Sequence, residues 1–123
     1  MPGEPILIVD DNVMNLKLIR VLLAGEGYDV RTAGDAAEAL AVLRTFTPRM
    51  ILMDIQLPGV DGLELTRRLK AAPETRNVIV LALTAYAMKG DAQRMLEAGC
   101  DGYIAKPIDT REFPATIARF LKA

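Results

Sequence analysis

Histidine and tryptophan are absent from these 123 residues, and cysteine occurs once. Without histidine there can be no Ser/His/Asp triad, no imidazole general base and no histidine zinc site. For the same reason the chain is neither a histidine kinase nor a histidine phosphotransfer protein. A single thiol, Cys100, forms no internal disulfide, so nothing argues for secretion. It lies in Ala98-Gly99-Cys100-Asp101-Gly102, away from any second soft ligand, and its expected role is that of a small buried filler. No apolar run approaches the roughly 20 residues that span a bilayer. The start, Met1-Pro2-Gly3-Glu4-Pro5, lacks the basic and apolar regions of a signal peptide. A cytoplasmic, membrane-free protein is therefore expected. An excess of charge is missing too, since 15 basic and 16 acidic residues leave a net charge of -1. The one basic cluster, Arg67, Arg68 and Lys70, falls on an expected helix, where a solvated face accounts for it. Nucleic-acid binding is not expected.

What is present is an ordinary globular composition, 51% hydrophobic and 25% charged. That length and composition suit one core, hence one domain over residues 1–123 with no output domain. Short aliphatic runs at residues 6–9, 28–33, 50–54, 78–83 and 103–106 read as strands. All but the second are continuously apolar, the mark of a sheet buried on both faces. Helical patterns occupy residues 13–24, 36–46, 63–70, 89–98 and 110–121. This alternation implies right-handed parallel crossovers and an open α/β sandwich. Gly25 and Gly27 end the first helix, Asp35 caps the second, and Pro58-Gly59 and Asp61-Gly62 shape the loop before the third. Asp109 reads as the cap of the last helix, but Pro114 removes a hydrogen bond from its first regular turn. That helix therefore either starts near Phe113 or has a distorted first turn.

Ligands of an open parallel sheet bind beyond the carboxyl ends of its strands, where strand order reverses. The first strand runs into Asp10-Asp11, the third ends in Asp54, the fourth in Thr84 and the fifth in Lys106. Any one of these has an ordinary explanation: a helix cap, a turn hydroxyl, a lysine reaching solvent. Their collection at one edge does not. Adjacent strands lie about 4.8 Å apart, so the three carboxylates converge. At about 5 Å and an effective dielectric near 20, each like-charge pair costs on the order of 3 kcal/mol. A divalent cation removes that penalty, and oxygen-only ligands with open water positions suit Mg2+. An aspartate carboxylate can attack phosphorus, giving an acyl phosphate stabilised by fixed positive charge and donors. Asp54 is the expected nucleophile and phosphoacceptor, because the acidic pair can then hold the metal. Lys106 and Thr84 supply an ammonium and a hydroxyl.

Four segments resemble the receiver domain of bacterial response regulators: Ile6-Leu7-Ile8-Val9-Asp10-Asp11-Asn12, Leu52-Met53-Asp54-Ile55-Gln56-Leu57-Pro58-Gly59-Val60-Asp61-Gly62, Leu83-Thr84-Ala85 and Lys106-Pro107. The resemblance covers essentially the whole chain. It implies a flavodoxin-like (βα)5 three-layer sandwich with strand order 2-1-3-4-5. It also implies phosphoryl transfer to Asp54 from a histidine kinase or histidine phosphotransfer protein. Gln56 matches the position whose backbone carbonyl binds the metal. Tyr103 matches the aromatic that turns inward as the threonine follows the phosphoryl group. Gln56 and Tyr86 depart from the asparagine and glutamate of the family's chemotaxis members, which leaves the lifetime of the phosphorylated state open. Pro114 is unusual in the family's last helix.

Two other readings fit less well. A haloacid-dehalogenase-type phosphohydrolase places its nucleophile after the first strand and its acidic pair late. A nucleotide- or flavin-binding module would need glycine-rich phosphate loops, and neither a P-loop nor Gly-x-Gly-x-x-Gly occurs. With no output domain, the output is expected to be binding to a downstream protein, by a monomer or weak dimer. At 100° per residue, Val13, Met14 and Val21 surround Lys17 on the outer stripe of the first helix, a docking surface for a donor's histidine-bearing helices. Finally, the chain must reverse between Lys106 and a cap at Asp109, so the Lys106–Pro107 bond is expected to be cis.

Overall fold

The computed structural model describes residues 3–55, 62–85 and 89–122. Among them, strands and helices alternate: β1 (Pro5–Val9), α1 (Val13–Gly25), β2 (Asp29–Ala33), α2 (Ala36–Leu43), β3 (Met50–Asp54), α3 (Gly62–Ala71), β4 (Ile79–Thr84), α4 (Lys89–Ala98), β5 (Gly102–Ala105) and α5 (Phe113–Lys122). The strands form one parallel sheet in the order β2-β1-β3-β4-β5, as expected. Strand order therefore reverses between β1 and β3, which opens a crevice at their carboxyl ends.

Side chains along a strand point alternately to opposite faces, so each central strand feeds two cores. Leu7, Val9, Ile51 and Met53 join one cluster with residues of α2, α3 and α4. Ile6, Ile8, Met50 and Leu52 join the other, with Ile19 and Leu23 of α1 and Phe113 and Ile117 of α5. All eight strand residues are fully buried. Burying each such side chain stabilises the fold by about 1.5–3 kcal/mol before chain entropy is counted. The middle of the sheet is thus rigid, and rigid strands hold their terminal residues in place.

Two sequence expectations need correction, and one open alternative is decided. The fifth strand is not buried on both faces: Gly102 and Ile104 are half-buried, while Tyr103 and Ala105 are exposed. It is an edge strand, and only its Ile104 side packs into the core cluster shared with α5. The second helix ends at Leu43 rather than at Phe46. Arg44 and Thr45 tighten its end through i→i−3 bonds to Ala41 and Val42. Phe46 then turns into the core, with the Arg31 guanidinium 4.9 Å from its ring centre. Of the two alternatives for the last helix, the later start holds, and it begins at Phe113. Asp109 Oδ1 accepts from the N–H groups of Arg111 and Glu112, making a preliminary turn before the helix. Pro114 then occupies the first helical turn, where a missing N–H costs least. Asp35 does cap α2, accepting from Glu38 N–H at 2.8 Å. The Lys106–Pro107 bond is cis. Pro58, Gly59, Asp61, Gln56 and Tyr86 lie outside the described residues.

Candidate functional site

β1 and β3 are paired in register, with Val9 opposite Met53, so Asp10 and Asp54 come next on neighbouring strands. Asp11 follows on the turn into α1. One carboxylate oxygen from each of Asp10, Asp11 and Asp54 lies within 4.8 Å of the others. Asp10 is fully buried and Asp54 nearly so, whereas Asp11 is exposed at the rim. Burying two adjacent carboxylates is unfavourable unless positive charge offsets it. Lys106 supplies part of that charge, with its Nζ 3.3 Å from Asp10 Oδ2 and 3.4 Å from Asp54 Oδ2. Lys106 follows β5 directly, its N–H bonded to the Thr84 carbonyl at 2.7 Å, and its ammonium reaches back from there. Thr84 ends β4 and is buried.

Asp10 is held on several sides. Its Oδ1 accepts from Asn12 N–H at 2.9 Å, and its Oδ2 lies 3.5 Å from the donor amide of Asn15. Asn12 is also the N-cap of α1, accepting from the N–H groups of Met14 and Asn15. The sequence expectation considered only Asp10 or Asp11 as that cap, and it missed Asn15. The one available signal was a polar side chain one turn into a mostly apolar helix. The structure thus gathers Asp10, Asp11, Asp54 and Lys106, and sets Thr84 at the end of the adjoining strand. Tyr103 is 45% exposed, so its ring stands outward here. Val13 (62% exposed), Met14 (73%) and Val21 (70%) all face solvent on α1.

Among the described residues, one lysine against three carboxylates leaves the pocket anionic. The clustered ligand atoms of Asp10, Asp11 and Asp54 are all oxygens, so these residues fit a hard divalent cation and not a soft one.

Residues 6–118 match the response regulator receiver domain, and the chain belongs to that family. Within it, the chain is 47% identical to the polar-differentiation response regulator DivK of Brucella anthropi over 118 residues, which is 96% of each protein. A putative response regulator from Chloroflexus aurantiacus superposes with a TM-score of 0.92 at 32% identity, covering 98% of this chain and 99% of that one. The receiver domain of a sensor histidine kinase from Pseudomonas aeruginosa, solved with magnesium coordinated in its active-site cleft, gives 0.88 at 36% identity over 98% and 99%. The chain is thus a phosphorelay receiver with an acidic pocket at the sheet's switch point, on the flavodoxin-like architecture. No helix among the described residues is long and apolar enough to cross a membrane.

Proposed function

We propose that Asp54 accepts a phosphoryl group from the phosphohistidine of a histidine kinase or phosphotransfer protein, with Mg2+ held beside it by Asp10, Asp11, Asp54 and the backbone carbonyl of Gln56. The observation that carries this reading is the convergence of three carboxylates at the β1/β3 crevice, two of them against one lysine. An Asp54 carboxylate oxygen attacks phosphorus, and the bond from phosphorus to the donor nitrogen breaks as the acyl phosphate forms. Lys106 Nζ neutralises charge on the incoming phosphoryl oxygens, a role supported by its 3.4 Å distance from Asp54 Oδ2. The Thr84 hydroxyl is a donor for a phosphoryl oxygen, and its movement toward that oxygen frees space into which Tyr103 turns. Bound Mg2+ would supply charge neutralisation and a template for the phosphoryl oxygens. Asp10, by contrast, is fixed by protein donors and keeps the pocket's shape.

Val13, Met14 and Val21 form the surface on which the donor docks. One receiver domain spans residues 1–123 and works in the cytoplasm as a monomer or weak dimer. Its output is a switched surface read by a downstream protein, with no nucleic acid or membrane as partner. Phosphorylation and slow loss of the phosphoryl group are self-catalysed.

Incubation with Mg2+ and labelled acetyl phosphate tests the reading. One acid-stable, base-labile label per chain is expected. Continuous release of phosphate from simple esters, or no label at all, would overturn it.

A further inference from the structure

We infer that Gly62 is a positioning residue for Asp54: it rests so closely on the Asp54–Ile55 peptide that only a residue without Cβ leaves the carboxylate aimed into the acidic pocket. The inference rests on the reading of Asp54 as phosphoacceptor and adds a residue to it.

Glycine is usually required where φ is positive, and among the described residues the positive-φ glycines are Gly3, Gly27 and Gly99. Gly62 is not among them, so its requirement is one of space. A Cβ at Gly62 would overlap the Asp54 carbonyl oxygen, stand 2.8 Å from Ile55 Cα and 3.0 Å from the Asp54 carbonyl carbon. Other crowded glycines meet something softer. A Cβ on Gly99 would touch the flexible Lys70 side chain, and one on Gly102 the edge of the Phe120 ring at 2.6 Å. At Gly62 the obstacle is main chain of the phosphoacceptor itself.

Neither partner can easily retreat. Leu63 and Leu65 anchor the start of α3 in the core, 2% and 0% exposed. Thr66, fully buried, donates from Oγ1 to the Gly62 carbonyl at 2.9 Å. Gly62 N–H reaches the Ile55 carbonyl at 3.4 Å, and Ile55 N–H the Leu83 carbonyl at 3.3 Å. With α3 pinned, a methyl group displaces the end of β3 instead. Asp54 has to meet Lys106 on one side and its metal partners on the other. Displacing a reacting group by about 1 Å can cost on the order of 100-fold in rate.

The test compares Gly62→Ala with Gly102→Ala, whose crowding is similar but faces a ring on α5. Thermal midpoint, Mg2+ affinity by calorimetry and acetyl phosphate labelling are measured for both. Both variants should lose stability. Only Gly62→Ala should weaken Mg2+ binding about tenfold or more and slow labelling about 100-fold. A folded Gly62→Ala protein with wild-type affinity and labelling overturns the inference. So does an equal loss of Mg2+ affinity in Gly102→Ala, since general destabilisation would then explain both. If Gly62→Ala does not fold, Thr66→Val and Thr66→Ser decide. Removing the hydroxyl should weaken Mg2+ binding about threefold and Thr66→Ser should restore it, a modest share of the effects known for groups behind metal ligands. Equal affinity in both Thr66 variants overturns the inference. Absence of label on the wild-type chain would refute the phosphoacceptor reading alone, because the Mg2+ comparison between variants still stands.

Discussion

The two ends of the sheet use charge in opposite ways. At the amino end, charges are matched and tied to the backbone. Lys70 Nζ lies 3.0 Å from Asp101 Oδ2 and donates to the Val78 carbonyl at 2.7 Å, while the same Asp101 oxygen accepts from Val80 N–H at 2.8 Å. Arg49 lies 3.8 Å from Glu4 and donates to the Leu121 carbonyl at 2.7 Å. These side chains join elements across the lower rim. At the carboxyl end, among the described residues, three carboxylates cluster, and Lys106 lies against the two that are buried. A fold selected for stability alone would not leave like charges unbalanced in a crevice. Charge balanced one to one marks structure here, and charge left over marks function.

The sharpest way to break this comparison is to remove the central carboxylate. Asp54→Asn keeps the shape but removes the nucleophile, so phosphoryl uptake should fall to background. Its thermal midpoint in the absence of Mg2+ should not fall, because one buried like-charge interaction is relieved. Label on the variant, or a lower metal-free midpoint, would contradict the assignment of excess charge to function. In the wild type, Mg2+ at about 100 times its Kd should raise stability by about 2.7 kcal/mol. A midpoint indifferent to Mg2+ would count against a metal at this edge.

The surface beside the acidic end offers a second, smaller effect. Changing Val13 and Met14 together to Asp alters side chains that are 62% and 73% exposed, so the fold should hold. Transfer from a cognate phosphorylated kinase should slow by about 10- to 100-fold, the scale of losing one or two interface anchors. Labelling by acetyl phosphate, which needs no docking, should be unchanged. Equal losses with both donors would place the damage in the pocket and not on the surface.

How legible this was depended on what each residue answers to. The central strands were readable because a run such as Ile51-Leu52-Met53 has few other fates, and the polar residue ending such a run falls at the sheet edge. Asp10, Asp11, Asp54, Thr84 and Lys106 could therefore be located before any coordinates. The exposed face of β5 was not, since Tyr103-Ile104-Ala105 looks the same whether or not a neighbour covers it. The early end of α2 depended on Phe46 finding a core position, which no local pattern states. Asn15 and Gly62 were hidden for a related reason. One acts through a contact five residues back, and the other through close approach of two backbone segments.

Lys70 tests the structural end. Lys70→Met keeps most of the side-chain length but leaves the Val78 carbonyl and the Asp101 carboxylate without this donor. Loss of a partly buried charged donor should cost about 1–3 kcal/mol of stability, seen as a shift in the urea midpoint. Mg2+ affinity and labelling should stay at wild-type values. A loss of metal affinity from this distant change would mean that the two ends are coupled, and the comparison would fail.

The smallest effect concerns Cys100, which precedes β5 at the amino end and is buried. Burial pushes its thiol above the ordinary value of 9.0, with Asp101 acting in the same direction and Thr66 and Lys70 opposing. The protonated thiol is therefore favoured by the fold. Well below the ordinary value of 9.0 the thiol is protonated in both folded and unfolded chains, and its packing contribution is fully present. As pH rises further, the unfolded thiol ionises first, which favours unfolding and erodes that contribution. Cys100→Ala removes the titrating group along with some packing. The wild type should be the more stable at pH 8, and its advantage should shrink toward pH 10 by no more than about 1.4 kcal/mol per pH unit. Paired urea titrations measure that gap, and taking the difference cancels other groups that titrate in both proteins, including Tyr28, whose phenol is also pushed up by burial. A gap that widens with pH would mean that the fold favours the thiolate. The amino end would then hold a group poised for chemistry, and the division between a structural and a functional end of the sheet would not stand.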